Sequence, residues 1–218
     1  MDGPAAAGKS TLARMAAETF GLVYVDTGAL YRAVGLHVRE RNVLPDDQTA
    51  VVAMMPALAV DLKYDADGLQ RVILCGRDVT ADIRTPEMSR YASAVSAIPA
   101  VRAFLLEAQR DMARKYDVIM DGRDIGTVVL PNAGLKVFVT ADIASRAKRR
   151  CAELAEKGIG SAYEEVEAEM RERDKNDTLR AAAPLKAADD AVILDTTALD
   201  LEQSHEALCA LIRGRFFT

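Results

Sequence analysis

The sequence is short of the residues that build disulfides and metal sites. It holds three cysteines and two histidines among 218 residues. Cys75, Cys151 and Cys209 lie far apart and form no C-x-x-C pair, so we interpret them as reduced structural thiols. His37 and His205 each stand alone in a helical pattern, which favours packing or surface roles. These absences speak against a disulfide-stabilised domain and against a metal site built by protein side chains alone.

Long apolar runs and an excess of positive charge are also missing. No apolar stretch is long enough to span a bilayer, and no signal peptide is recognisable. The formal net charge is −5, which argues against a general binder of nucleic acid or membrane surfaces. We therefore expect a cytoplasmic protein with neither a nucleic-acid polymer nor a membrane as partner. Because no heptads or long exposed apolar stretches occur, we expect a monomer.

What the chain does contain is a phosphate loop at its start. Residues 3–11, GPAAAGKST, fit the pattern G-x-x-x-x-G-K-[ST] at every fixed position. The glycines let backbone N–H groups point at phosphate oxygens, and the helix beginning near Lys9 adds the positive end of its dipole. Lys9 is suited to the outer phosphates, and the Ser10 hydroxyl is suited to a magnesium ion.

The strand that normally enters such a loop is missing. Only Met1 and Asp2 precede Gly3, whereas a phosphate loop usually follows a buried strand that sets its entry angle. Loss of a buried strand would cost more than the roughly 5–15 kcal/mol of a typical domain's net stability. The expectation is therefore that the natural start lies upstream. A domain that lives without its central strand is the alternative, and an inactive, misfolded fragment is a third possibility.

Short apolar segments alternate with helical patterns along the rest of the chain. Residues 22–25, 118–120, 136–139 and 192–194 are bounded by turns, as buried parallel strands are. Strands separated by helices favour right-handed crossovers and a parallel sheet covered on both faces. We predict an α/β chain with the P-loop NTPase fold, normally of five strands, with its first strand largely absent.

Two local features refine this prediction. Residues 60–64 and 69–74 read as strands around an Asp67-Gly68 turn, followed by a short third strand near Gly76 to Val79, which indicates a small antiparallel insertion. Helix starts are predicted at Asp142, at a capping box of Ser161 with Glu164, and at Asp200 with Gln203.

Polar side chains cluster directly after two of the predicted strands. In DTGALYR, residues 26–32, the strand end places Thr27 and Arg32 on the ligand side of a parallel sheet, with Tyr31 on the same helix face as Thr27. Arginine is suited to bidentate phosphate contacts. In DGRDIGT, residues 121–127, Arg123 is a candidate for phosphate and Asp124 for a base or ribose. A helix cap and a plain turn are the structural alternatives.

A third cluster ends a predicted helix. Arg173, Asp177 and Arg180 are spaced so that they share one face if the helix continues, and an aspartate flanked by arginines suits a ribose and a phosphate. A salt-bridged helix end is the structural alternative. Ser93 and Arg102, on either side of Ile98-Pro99, carry no signal by themselves.

Taken together, these motifs resemble the bacterial cytidylate kinase family over essentially the whole chain. The specific matches are DTGALYR, GRDVTADIRT at 76–85, DGRDIGTVVLP at 121–131, and ERD-x-x-D-x-x-R at 172–180 followed by APL. The antiparallel insertion belongs to the same pattern. The resemblance implies transfer of a phosphoryl group from ATP, with Mg²⁺, to the small-molecule substrates CMP and dCMP.

The resemblance also implies roles for individual residues. The ATP-binding set comprises Gly3, Pro4, Ala5, Ala6, Ala7, Gly8, Lys9, Ser10, Thr11, Arg146 and Arg149, with Ser10 on the magnesium ion. The CMP-binding set comprises Thr27, Tyr31, Arg32, Ser93, Arg102, Arg123, Asp124, Arg173, Asp177 and Arg180. Within these sets, Lys9, Arg123, Asp124 and Arg180 are the expected catalytic residues.

The expected organisation is a single kinase domain. Its core comprises residues 1–35, 100–145 and 180–218, its CMP-binding region residues 36–99 with the insertion at about 60–85, and its lid residues 146–179. Two other functions stay open. One is another small-acceptor P-loop kinase acting on UMP, thymidylate or shikimate, and the other is a non-catalytic nucleotide-binding switch.

Overall fold

The computed structural model describes residues 1–66 and 68–217, and they form a mixed α/β structure. The strands are β1 (Val23–Asp26), β2 (Val60–Tyr64), β3 (Gln70–Leu74), β4 (Arg77–Asp78), β5 (Val118–Asp121), β6 (Val137–Thr140) and β7 (Val192–Asp195). The helices are α1 (Lys9–Phe20), α2 (Thr27–Glu40), α3 (Gln48–Met54), α4 (Pro86–Val95), α5 (Pro99–Lys115), α6 (Ile143–Glu156), α7 (Tyr163–Leu179) and α8 (Leu201–Phe216). A 3₁₀ turn covers Met55–Ala57, and a π-helical turn covers Ile125–Val129.

One compact unit consists of Met1–Leu22 and Asp121–Thr218. In it, β6 and β7 pair in parallel, with Val137 opposite Val192 and Thr140 opposite Asp195. Helix α1 packs against α8, and α6 packs against α7. The α6–α7 pair has its own small core of Ala147, Leu154, Val166 and Met170. The two predicted strands are thus confirmed as parallel, but the predicted burial of 192–194 is wrong, because Val192 is 39% and Ile193 is 56% exposed.

The second compact unit is Val23–Met120. Strand β1 pairs with β5, and β2, β3 and β4 form an antiparallel sheet in that order. Helix α2 packs against α4, and its inner face enters a large core cluster, in which Leu30, Val34, Ile83 and Leu105 are fully buried. The antiparallel insertion predicted from the sequence is confirmed, although Asp67 of its predicted turn lies outside the described residues. The division into core, CMP-binding region and lid stays a prediction.

Met1 and Asp2, which precede the phosphate loop, are hydrogen-bonded to β6 and to the segment after β5. The Asp2 N–H donates to Val137 O at 2.9 Å, and Asp2 O accepts from Val139 N at 2.8 Å. On the other side, Gly122 N donates to Met1 O at 3.0 Å. These bonds give a single parallel bridge between Asp2 and Phe138 rather than a strand. The two residues nevertheless hold the phosphate loop next to β6.

Side-chain caps explain five of the eight described helix starts, and α1, α5 and α7 are the exceptions. Asp142 accepts from Ser145 N, and Asp200 with Gln203 forms a capping box, as predicted. The predicted capping box of Ser161 is wrong, because α7 begins at Tyr163 and its N-cap, Ala162, has no capping side chain.

Among the described residues, no single helix is long and apolar enough to cross a membrane, although the bent pair α4 and α5 passes that test on length and composition taken together.

Candidate active site

The phosphate loop has the backbone that an anion cradle needs. Gly3, Ala6 and Gly8 have φ values of 143°, 55° and 90°, and α1 begins at the next residue, Lys9. A Cβ atom on Gly3 would lie 1.9 Å from Val139 O, so only glycine fits there. The left-handed turns curl the loop at the N-terminus of a twelve-residue helix, where backbone N–H groups lack helical partners.

Lys9 is buried inside this loop. Its side chain is enclosed, with 5% of the residue exposed, and Nζ donates to Pro4 O at 2.5 Å. Burial lowers the pKa of the Lys9 ammonium well below its ordinary value, the charges of Arg123 and Arg173 lower it further, and Asp121 opposes them. Lys9 is therefore repelled by the charges of Arg123 and Arg173 and attracted by those of Asp121 and Asp2. An anionic ligand would relieve that repulsion.

Ser10 and Asp121 form an oxygen-rich pair beside the loop. Ser10 Oγ donates to Asp121 Oδ2 at 2.6 Å, and Asp121 is buried at the end of β5. A hydroxyl and a carboxylate are hard oxygen ligands of the kind that Mg²⁺ uses together with substrate phosphates. In residues 1–66 and 68–217, no group of three or more His, Cys, Asp or Glu side chains is arranged to hold a metal ion. The pair thus suits a magnesium ion that arrives with phosphates.

The segment after β5 and the end of α7 meet through ion pairs. Arg123 Nε donates to Asp177 Oδ2 at 2.9 Å, and Arg180 lies 3.7 Å from Asp124 and 3.9 Å from Asp177. Burial alone would raise the pKa of Asp177, but Arg123, Arg173 and Arg180 outweigh it and the pKa is lowered. Asp177 is therefore ionised, and its charge holds several guanidinium groups together. The structure brings together this predicted set, which is dispersed in sequence.

Arg146 and Arg149, predicted to bind ATP, contact protein groups around the loop. Arg146 is buried, donating to Ala141 O at 2.9 Å, to Ala5 O at 3.2 Å and to Asp174 Oδ2 at 2.6 Å. Arg149 donates to Thr196 Oγ1 at 3.0 Å and to Thr196 O at 2.6 Å. The Thr196 hydroxyl in turn lies within hydrogen-bond distance of Thr140 O, at 3.1 Å, and of Ala7 O in the loop, at 3.3 Å. Both arginines thus brace the loop backbone.

The remaining predicted residues lie in the second unit. Thr27, nearly buried, opens α2, and Asp26 caps that helix by accepting from Ala29 N at 3.0 Å. Arg32 pairs with Asp26 at 3.4 Å. The Arg102 guanidinium lies 5.5 Å from the centre of the Tyr31 ring, a cation–π arrangement. Ser93 lies near the end of α4 and is partly exposed.

Residues 1–214 match the cytidylate kinase family model. The chain belongs to the cytidylate kinase family. Cytidylate kinase from Caldicellulosiruptor bescii is 48% identical over 203 residues, covering 93% of this chain and 89% of that protein. Cytidylate kinase from Lactobacillus johnsonii is 48% identical over 215 residues, covering 99% and 93%. Among solved structures, TT1252 from Thermus thermophilus is 19% identical, covers 98% and 94% of the two chains, and has a TM-score of 0.44, too low to carry an argument.

Membership of the cytidylate kinase family directs attention to charged residues for which the sequence suggested no binding role. Arg84 lies in the motif GRDVTADIRT and pairs with Asp26 at 2.7 Å. Asp2, 5% exposed, accepts from Ile125 N and Gly126 N, each at 2.7 Å. The position of Arg84 within that family motif was the available signal for it. The contacts themselves are long-range and invisible in sequence.

Proposed function

We propose that this protein transfers the γ-phosphoryl group of ATP to the phosphate of CMP or dCMP. As a member of the cytidylate kinase family it is a transferase, and its substrates are small nucleotides. The observation that carries the residue assignments is the buried Lys9 ammonium in a phosphate loop, next to the charges of Arg123 and Arg173. We propose further that the protein works as a monomer in the cytoplasm.

On the donor side, the loop from Gly3 to Thr11 holds the ATP phosphates. Its backbone N–H groups and the N-terminus of α1 attract the anion, and Lys9 neutralises charge on the outer phosphates. Arg146 and Arg149 keep the loop in shape through Ala5, and through Thr196 and Ala7. The contribution of these two arginines to ATP binding is then largely one of positioning.

The residues Ser10 and Asp121 fit a magnesium ion. Ser10 would be a direct ligand, and Asp121 would orient its hydroxyl and the water around the ion. When bound, Mg²⁺ supplies positive charge to the phosphate oxygens of the donor.

On the acceptor side, we assign the phosphate of CMP to Thr27, Arg32, Arg123 and Arg180, with Tyr31 lining that position. Ser93, Arg102 and Asp124 read the cytosine edge, and Arg173 and Asp177 hold the ribose. The ion pairs of Asp177 and Asp124 keep Arg123 and Arg180 in place before substrate arrives, which lowers the ordering cost of binding.

The chemistry needs no strong base. An ionised phosphate oxygen of CMP attacks the γ-phosphorus of ATP in line, a new P–O bond forms, and the bond to the bridging β–γ oxygen breaks to leave ADP. Lys9, Arg123 and Arg180 stabilise charge on the transferring group, so catalysis rests on positioning and electrostatics. Water must be excluded to prevent simple hydrolysis of ATP.

An acceptor panel separates this function from its rivals. ADP release is measured with ATP, Mg²⁺ and one acceptor at a time: CMP, dCMP, UMP, thymidylate or shikimate. We expect CMP and dCMP to exceed the others by orders of magnitude in kcat/KM. A preference for another acceptor would replace the substrate assignment, and ADP release indifferent to every acceptor would favour a nucleotide-binding switch. Arg123→Ala should abolish CDP formation without loss of the fold.

A further inference from the structure

Asp26 holds two arginines that are far apart in sequence. Its Oδ2 atom accepts from Arg84 Nη1 at 2.7 Å and from Arg32 Nη1 at 3.4 Å, while Oδ1 accepts from Ala29 N at 3.0 Å. The two oxygens of Asp26 thus have different partners. Oδ1 caps α2, and Oδ2 accepts from the two guanidinium groups. Sequence motifs had singled out Arg32, but not Arg84 or Asp26, as a ligand contact.

The carboxylate of Asp26 is more deeply buried than the two guanidinium groups that pair with it. The side chain of Asp26 is 8% exposed, that of Arg32 is 22% exposed and that of Arg84 is 42% exposed. Two guanidinium groups against one carboxylate leave an excess positive charge facing solvent. Burial would raise the pKa of Asp26, but Arg32 and Arg84 overcome this effect and lower it, so the carboxylate stays ionised.

The backbone next to Asp26, Arg32 and Arg84 is held in place by burial, by a helix cap and by hydrogen bonds. Ile83, which precedes Arg84, is fully buried, and Thr85, which follows it, caps α4 by accepting from Met88 N. A Cβ atom on Gly28 would lie 3.2 Å from Asp26 Oδ1 and 3.6 Å from Arg32 Nη1, so the guanidinium of Arg32 lies close over that glycine. Gln70 adds two hydrogen bonds to the Asp26 backbone, at 2.8 and 3.3 Å.

We propose that Arg84 binds the phosphate of the nucleoside monophosphate acceptor together with Arg32, and that Asp26 is the positioning residue that holds both guanidinium groups. This inference rests on the proposed function. A guanidinium group has five N–H donors, and Asp26 engages one nitrogen of each arginine. The remaining donors suit a dianionic phosphate, for which arginine is well shaped.

Matched pairs of variants test the proposal. Arg84→Gln removes the charge, Arg84→Lys keeps it, and Arg77→Gln is the control, because Arg77 lies in the same motif but pairs with the exposed Glu40. Asp26→Asn keeps a capping oxygen and loses the carboxylate. Asp47→Asn is its control, since Asp47 caps α3 in the same way through Ala50 N at an exposed site. Melting temperature, steady-state kinetics and calorimetric binding of CMP without ATP are measured for each protein.

We expect Arg84→Gln and Asp26→Asn to raise the KM and Kd for CMP about tenfold or more, as loss of a charged hydrogen bond does. The KM for ATP should stay within about twofold, and Arg84→Lys should recover part of the loss. The double variant should lose less than the product of the two single effects, because both act on one cluster.

Two results would overturn the inference. CMP affinity equal to that of Arg77→Gln would remove Arg84 from the site, and a change confined to melting temperature would make Asp26 purely structural. The calorimetric measurement of CMP binding distinguishes a failure of this inference from a failure of the proposed function. If wild type binds CMP through Arg84 but forms no CDP, the phosphoryl-transfer assignment fails and the binding role stands.

Discussion

Ser10 Oγ donates a 2.6 Å hydrogen bond to Asp121 Oδ2 across 111 positions of sequence. Ser10 is the second residue of α1, and Asp121 is the last residue of β5. The bond joins a hydroxyl suited to magnesium to a buried carboxylate that orients it. Their closeness is a property of the tertiary fold, because no local pattern connects the two positions.

Ser10→Ala should therefore raise the magnesium requirement. At fixed ATP and CMP, the Mg²⁺ concentration for half-maximal turnover should increase about tenfold or more, since a ligand and its orienting bond are both lost. Thr19→Ala is the control, because Thr19 lies near the other end of the same helix, where its hydroxyl donates to Met15 O at 2.9 Å. A magnesium curve that coincides with that of the control would remove Ser10 from the site. Chelation of Mg²⁺ should stop turnover of the unchanged protein.

Lys9 should make stability depend on pH. Burial lowers its pKa in the folded protein below the ordinary 10.5, so between these two values the unfolded chain binds more protons than the folded one. The free energy of unfolding should accordingly rise with pH across that window. Lys9→Met should flatten this part of the profile, leave the fold intact and abolish turnover.

Urea unfolding from neutral pH upward, with and without ATP, measures this effect. ATP should raise the Lys9 pKa by adding negative charge, and the slope should shrink in its presence. A slope unchanged by Lys9→Met would mean that other groups carry the pH dependence. Wild-type rates of CDP formation in that variant would contradict the catalytic role.

Asp2 should matter for stability far more than an exposed terminal residue. Its carboxylate accepts from Ile125 N and Gly126 N, each at 2.7 Å, at the start of the π-helical turn after Asp124. Asp2→Ala leaves both N–H groups buried and unpaired, at a cost of roughly 1–3 kcal/mol each. Chemical denaturation should show this loss, compared with Asp190→Ala, whose carboxylate is exposed and pairs with Lys136. A loss no greater than that of the control would show that Asp2 is dispensable.

Several elements were predictable because their causes are local. The phosphate loop, the start of α1 at Lys9, the antiparallel insertion and the caps at Asp142 and Asp200 follow from short-range patterns. The capping box at Ser161 failed because α7 begins two residues later, at Tyr163. Helix boundaries depend on packing as well as on capping side chains, and packing involves residues outside the four that define a capping box.

The partners of the charged residues were beyond sequence reasoning. Arg123 and Arg180 were singled out as phosphate ligands, but the carboxylates of Asp177 and Asp124 that hold them were assigned only to sugar and base. Arg146 was assigned to ATP, yet its donors meet Ala5 and Asp174. An arginine in a motif signals the need for a guanidinium group. Which acceptor it meets depends on distances set by the whole fold.

The family, the alternation of strands and helices and the phosphate loop could thus be predicted from the sequence alone, because each arises from residue types at short, regular spacings. Folding in three dimensions decided that Asp26 pairs with both Arg32 and Arg84, that Ser10 bonds to Asp121, and that Asp2 forms one parallel bridge with Phe138. The physical reason is that burial and charge pairing act through space, and positions distant in sequence become neighbours only when the core forms.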